Sequence, residues 1–236
     1  QQLVPLWAQT GTVDDFVNRV RDPNTRPRIR KEVVTGNGGL QPLWDAWHVA
    51  YTNTEANRSL IGKSVEDIAR IRNVEPAEVV LQIIEEEGGS VPTRVHNRDE
   101  GDVRYFLSHD LAMIGSDGRA VSPDGPYATA LPHPRFYGTY PRILGRYVRE
   151  EPALLTLESA INKMTGLPAA RMGMKERGLV KEGLVADLVI FDPDTVIDNA
   201  TWEDPHQYPT GIPYVLVNGV AVVDCGKHTG TMPGTV

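Results

Sequence analysis

The pair Asn218-Gly219, set between the apolar runs Tyr214–Val217 and Val220–Val223, constrains the fold of this chain more tightly than any other feature. A two-residue Asn-Gly link between β-prone runs closes an antiparallel hairpin, because both positions tolerate positive φ. With Ala186 to Asp192 as a further strand, the segment from about residue 178 onward reads as a small β unit. Upstream the texture is different. Residues 12–35 read as helical, with breaks near Pro23 and Pro27. Trp47 to Tyr51 and Pro92 to Val95 are short strand candidates. Ser64, with Asp67 three residues on, is a capping pattern that opens a helix. A second helix starts at Pro76, presents Val79, Val80, Ile83 and Ile84 on one face, and stops at Gly88.

Asn97 is placed to cap a helix carrying Val103, Phe106 and Leu107. Leu111 to Gly115 then reads as a short buried strand ending in the turn Ser116-Asp117-Gly118. A proline- and glycine-rich loop follows over 119–137. Two more helices come next, one carrying Ile143, Leu144, Tyr147 and Val148, the other running from Thr156 to Gly166. Strands alternating with helices suggest a parallel sheet or barrel. Only two or three strands are convincing here, too few for a closed eight-stranded barrel, which takes about 250 residues by itself. The expectation is a piece of a barrel, with an open edge that a further chain segment must cover.

Composition narrows the function. A formal charge of −7 lacks the basic footprint of a nucleic-acid-binding protein. No apolar stretch reaches membrane-spanning length. The single cysteine, Cys225, excludes an internal disulfide framework and a cysteine-rich zinc site. There is no H-x-H, no H-E-x-x-H, no phosphate loop and no dinucleotide fingerprint.

Two constellations can carry chemistry. Asp117 stands where a strand meets a loop, the position of functional residues in a parallel barrel. A carboxylate there can bind a metal or take a proton from water, but a turn or cap aspartate looks the same in sequence. The second is Pro132-His133-Pro134-Arg135, followed by Tyr137-Gly138-Thr139-Tyr140-Pro141-Arg142. Its prolines stiffen a loop around a histidine and an arginine whose planar fork suits a carboxylate. An ordinary surface loop is the alternative. His96, near a strand end, is a weaker pocket candidate.

Met113 to Gly118 (MIGSDG) and His133 to Val148 (HPRFYGTYPRILGRYV) closely resemble the D-aminoacylase and N-acyl-D-amino-acid deacylase branch of the amidohydrolase superfamily. Leu155 to Val196 is similar to the wider superfamily as well. Ala200 to Asp224 continues the deacylase-like match, and GKSVEDIA and LQIIEEEGG resemble that branch's helical insertion. The resemblance implies an α/β fold: the C-terminal part of a (β/α)8 amidohydrolase barrel over 1–177, with a helical insertion at about 52–91, and a small β-sandwich over 178–236. It implies zinc-dependent hydrolysis of N-acyl-D-amino acids or similar amides. Asp117 would be the catalytic base and lie beside the metal. Arg135 would hold the substrate carboxylate, with His133 and Ser116 as further substrate-binding candidates. One or two zinc ions would be ligated mostly by residues outside this chain, since Cys225 does not match the family's ligand cysteine. The implied partners are a small-molecule substrate and the N-terminal half of the barrel, without nucleic acid or membrane. The implied location is cytoplasmic, or exported if a leader precedes the chain. Alone, the chain is expected to be inactive. A cyclic amidase of the hydantoinase or dihydroorotase kind, and a non-catalytic assembly subunit, are the alternatives.

Overall fold

The computed structural model describes residues 2–36, 42–150 and 154–235. They form two compact units, one of residues 1–97 with 126–132, the other of 98–125 with 133–236. The boundary read at residue 177/178 divides textures of secondary structure. The compact units follow a different line, because the β-rich tail packs with the helices that precede it.

The first unit is mostly helical. α1 (Val13–Arg21) opens on a capping box in which Thr12 and Asp15 satisfy each other's backbone N–H. α2 (Arg26–Thr35) follows. The helical stretch read from sequence is therefore broken near Pro23 but not at Pro27, which sits in the first turn of α2, where a missing N–H costs nothing. β1 (Trp47–Val49) pairs antiparallel with β2 (Thr93–Val95). Between them lie α3 (Val65–Arg72), opened by the Ser64–Asp67 capping box, and α4 (Pro76–Glu86).

Val20, Ile29, Val33, Ile68, Val79 and Leu81 are fully buried and join α1, α2, α3 and α4 in one core. The helices of the expected 52–91 insertion thus share a core with α1 and α2. Arg26 ties α2 to α4 through Glu78 at 2.6 Å and Glu85 at 3.2 Å. The loop 126–132 returns to this unit, where the Leu131 N–H donates to Ala50 O at 2.8 Å.

Glu87, just past α4, is buried, and its carboxylate closes the segment before α3. It accepts from the N–H of Asn53, the N–H and hydroxyl of Thr54, and the amide of Asn57 at 2.7 Å.

In the second unit, α5 (Glu100–Ser108) is capped by Asp99, not by Asn97. Val103 and Leu107 pack on the core while Tyr105 and Phe106 face outward. α6 (Arg135–Arg142) contains Pro141 and continues as a π-helix, Ile143–Glu150. α7 (Leu157–Met164) begins at the Thr156 cap, and the chain re-enters helix at once as α8 (Gly166–Arg171), so Gly166 starts a helix instead of ending one. β3 (Leu188–Ile190), β4 (Tyr214–Val217), β5 (Val220–Asp224) and β6 (Lys227–His228) form an antiparallel sheet in that order. Asn218 (φ 49°) and Gly219 (φ 77°) supply the two positive φ angles that the β4–β5 turn needs.

One expectation is corrected. Leu111 to Gly115 is not a strand. A strand exists only where neighbouring backbone completes its ladder, and this segment's bond to an element is one from Ile114 N–H to Lys163 O, on a helix. Both sheets among the described residues are antiparallel, so the parallel barrel geometry is not present in them. Among the described residues the tail forms one four-stranded sheet, and Val189 and Ile190 on it are exposed.

Between β3 and β4 the chain makes an excursion, residues 192–211, closed at its base by Asp192 N–H to Gly211 O at 2.8 Å and by the Ile197–Thr210 bridge. The excursion docks on the helix that runs from 135 to 150. A Cβ on Gly138 would sit 2.8 Å from Asp198 Cβ, and one on Gly145 would sit 2.7 Å from Val196 O. Arg142 pairs with the buried Asp198 at 3.3 Å. Burial opposes the charge of Arg142, but Asp198 and Tyr147 outweigh it and hold the guanidinium protonated. Arg149 donates to Val196 O at 2.7 Å and Pro193 O at 3.1 Å.

Two stability changes follow. Burial raises the Glu87 pKa, and the hydrogen bonds from Thr54, Asn57 and Asn53 more than reverse this, leaving the carboxyl below its usual range. A lowered folded pKa means that the stabilisation is complete above the unfolded value, about pH 4, and is lost as pH falls through the folded value. Glu87→Gln is therefore expected to destabilise the first unit by roughly 2 kcal/mol at pH 7, with the difference shrinking below about pH 4. Urea unfolding at pH 7 and pH 3 measures it, and a pH-independent difference contradicts it. Gly145→Ala drives a methyl into backbone at Val196, and should cost the second unit about 1–3 kcal/mol by the same method.

Candidate active site

The turn at Asp117 is held in an unusual backbone state. Asp117 has φ 45°, the left-handed region that few residues other than glycine adopt. Ser116 Oγ accepts from the Gly118 N–H at 3.2 Å, tightening the turn. Gly118 lies against the start of α6, where an added Cβ would be 3.2 Å from Phe136 Cα and 3.4 Å from Arg135 O. Glycine lets the turn approach the helix this closely.

Arg135, the first residue of α6, grips the turn twice. Its Nε donates to Asp117 O at 3.0 Å and its terminal nitrogen lies 2.6 Å from the Asp117 carboxylate. The Asp117 side chain is 85% exposed and that of Arg135 39%, so the pair contributes little to stability and stays open to a ligand. His133 turns back toward the helix, and its Nδ1 accepts from the Arg135 N–H at 3.0 Å. The four residues named from the sequence thus fall on one turn and one helix start. Asp117 and Arg135 are in direct contact, Ser116 shapes the turn, and His133 touches the Arg135 backbone.

Of the residues around them, Tyr137 belongs to the second constellation read from the sequence, whereas Trp202 and Lys163 carry no local signal. Trp202, on the excursion, meets the His133 ring edge-to-face, with centroids 4.5 Å apart at 62°. Tyr137, on α6, places its hydroxyl 2.9 Å from His206 Nδ1 and packs against Tyr208 at 5.5 Å. Burial, with a smaller contribution from Tyr208, pushes the Tyr137 phenol above its ordinary value. On the other side, the buried Lys163 of α7 donates from Nζ to His109 O and to Ala112 O at 3.3 Å. With the bond from Ile114 N–H to Lys163 O at 3.0 Å, this tethers the segment that delivers Asp117. A lysine and a tryptophan 46 and 85 positions downstream of Asp117 carry no periodicity or motif that links them to it.

His96 follows β2 and lies in the other unit, its ring 4.7 Å from that of His48. A groove in that unit, among Arg21, Arg72, Gln82, Glu85 and Glu86, is lined by charges already paired with one another. A catalytic zinc usually takes three protein ligands. Among the described residues no three His, Cys, Asp or Glu side chains are gathered to hold a metal. Asp117 by itself does not fit a zinc ion. No helix among the described residues is long and apolar enough to cross a membrane.

An exposed carboxylate and a guanidinium fork stand side by side on a turn with left-handed φ and a helix start, groups capable of proton transfer and of binding an anion. Comparison with known proteins gives the chain its family. The sequence pattern of the Amidohydrolase family matches residues 48–223, and the chain belongs to this family. It is 50% identical over 124 residues to an N-acyl-D-glutamate deacylase of Alcaligenes xylosoxydans xylosoxydans, a stretch covering 52% of this chain and 24% of that protein. It is 41% identical over 177 residues to a D-aminoacylase from the same organism, covering 75% of this chain and 34% of the relative. Among solved structures, an N-acyl-D-glutamate deacylase from Bordetella bronchiseptica, complexed with zinc and a phosphonate mimic of the tetrahedral intermediate, superposes with a TM-score of 0.66 at 35% identity, covering 76% of this chain and 35% of that one. The chain thus spans about a third or less of the length of these relatives.

The tether at Lys163 makes a local prediction. Lys163→Met keeps the aliphatic packing and removes the donors to His109 and Ala112. Loss of about 1.5–3 kcal/mol of charge-assisted bonding raises amide exchange at Ile114 and Gly118 by about ten-fold or more. Exchange in the β4–β5 hairpin stays unchanged. Uniform exchange changes across the unit would contradict the tether.

Proposed function

We propose that this chain is the C-terminal portion of a metal-dependent amidohydrolase that cleaves the amide bond of N-acyl-D-amino acids, and that it supplies the base and the carboxylate-binding part of the active site. The observation that carries the reading is the contact of Asp117 with Arg135, in a chain whose relatives are N-acyl-D-amino-acid deacylases. One terminal nitrogen of Arg135 already lies 2.6 Å from a carboxylate, that of Asp117, while Nε donates to the Asp117 carbonyl. The substrate of an N-acyl-amino-acid deacylase offers a carboxylate of the same geometry beside its scissile amide.

In this reading Asp117 takes a proton from the attacking water and passes it to the leaving amine. Arg135 orients the substrate by its carboxylate, which distinguishes an amino acid from a simple amide. Ser116 shapes the turn and, with His133, completes the substrate side. Zinc, one or two ions, would be held mainly by residues outside this chain, with Asp117 beside it. The segment 1–177 would complete a (β/α)8 barrel with those residues, α3 and α4 belonging to a helical insertion, and the β3–β6 sheet would gain further strands. The N-terminal part of the barrel is thus the partner that this chain requires.

The test uses the complete protein. Asp117→Asn is expected to lower kcat by about 10³-fold or more while the KM for an N-acyl-D-amino acid changes little. Arg135→Lys keeps the charge, loses the fork, and is expected to raise KM about ten-fold. Chelation abolishes activity and zinc restores it, whereas the 236-residue chain alone hydrolyses nothing. Retained activity in Asp117→Asn, or turnover by the chain alone, would refute the assignment.

A further inference from the structure

We propose that Trp202 is a positioning residue for the carboxylate clamp: its contact with His133 fixes the imidazole that receives the Arg135 N–H, and so sets where the Arg135 guanidinium stands. The inference rests on the deacylase reading for its kinetic consequence, but its structural basis is separate. The first N–H of a helix has no partner within the helix. In α6 that donor is taken by His133 Nδ1 at 3.0 Å, while Phe136 N–H returns to His133 O at 3.0 Å. Accepting at Nδ1 requires the neutral imidazole with its proton on Nε2, in one ring orientation.

The edge-to-face contact with Trp202, centroids 4.5 Å apart, supports that orientation, a geometry worth more than its buried area alone. The excursion that carries Trp202 is itself anchored. Asn199 donates to Tyr208 O at 2.9 Å, Asp204 N–H to Thr201 Oγ1 at 2.9 Å, and Thr201 N–H to Asp204 O at 3.1 Å. Its base is locked on the helix at Gly138 and Gly145. The same excursion grips the next helical residues through His206 and Tyr208 on Tyr137. The start of α6 is thereby held at two points by a segment more than sixty residues downstream. A small rotation of this first turn moves the Arg135 fork off the position it occupies beside Asp117, and misplacement of a positioning group costs rate and affinity out of proportion to the displacement.

The experiment compares Trp202→Leu, which stays apolar but has no ring, with Trp202→Phe, which restores one. In the complete protein, Trp202→Leu is expected to raise the KM for N-acetyl-D-glutamate on the order of ten-fold with kcat nearly unchanged. It should leave kcat/KM for the same compound with its α-carboxylate amidated unaltered, and Trp202→Phe should recover most of the loss. Independently, hydrogen exchange at the Arg135 amide should rise in Trp202→Leu and return in Trp202→Phe. An unchanged KM and unchanged Arg135 exchange overturn the proposal. So does equal loss on the carboxylate and amidated substrates, which marks general damage. If the wild-type protein hydrolyses no N-acyl-D-amino acid, the deacylase reading fails, and exchange at Arg135 alone decides the role of Trp202.

Discussion

The second unit depends on the close approach of one helix to one excursion. The helix from Arg135 to Glu150 presents Gly138 and Gly145, with Arg142 and Arg149 between and after them, to residues 193–198. Without side chains at the two glycines, backbone and side chain of the excursion come within contact of the helix itself. The two arginines then satisfy the carbonyls of Pro193 and Val196 and the buried carboxylate of Asp198, which would otherwise be costly to desolvate. Val196, fully buried, joins the core formed by Ile143, Leu144, Tyr147, Leu155 and Ala160. The β3–β6 sheet has no residue buried to that degree, so this contact joins the tail to the helices.

The same contact decides the candidate site. The start of α6 lies at one end of the docked helix, and Arg135 stands there. Asp117 arrives on a segment that makes no ladder of its own and is held by Lys163 behind it and Arg135 in front. The base candidate is thus carried by a turn with left-handed φ, and its position is set by two cations on two different helices. Such a turn keeps its carboxylate exposed, which a substrate or metal requires, at the expense of local stability.

What could be read from the sequence was local. The Asn218-Gly219 hairpin, the Ser64–Asp67 capping box and the burial of Val79, Val80, Ile83 and Ile84 on α4 each depend on residues within five positions, and each stands where local chemistry places it. The start of α5 slipped by two residues because Asn97 and Asp99 are both good caps, and only the bond from Gly101 N–H to Asp99 chooses between them. Leu111 to Gly115 has strand composition, but composition supplies no neighbour to pair with. Asp117 and Arg135 could be singled out by type and by motif, and their mutual contact could not, since it spans 18 residues of proline-rich loop. Trp202 and Lys163 were illegible for the same reason. Each acts through a contact with a distant segment and leaves no pattern near itself.

The most direct measurement of the central claim is a structure of the complete protein with a non-hydrolysable N-acyl-D-amino-acid analogue bound. The analogue's carboxylate is expected in the fork of Arg135, in place of the Asp117 carboxylate, with Asp117 within hydrogen-bond reach of the tetrahedral or water oxygen at the scissile position. An analogue whose carboxylate is held by other residues, with Arg135 still closed on Asp117, would contradict it.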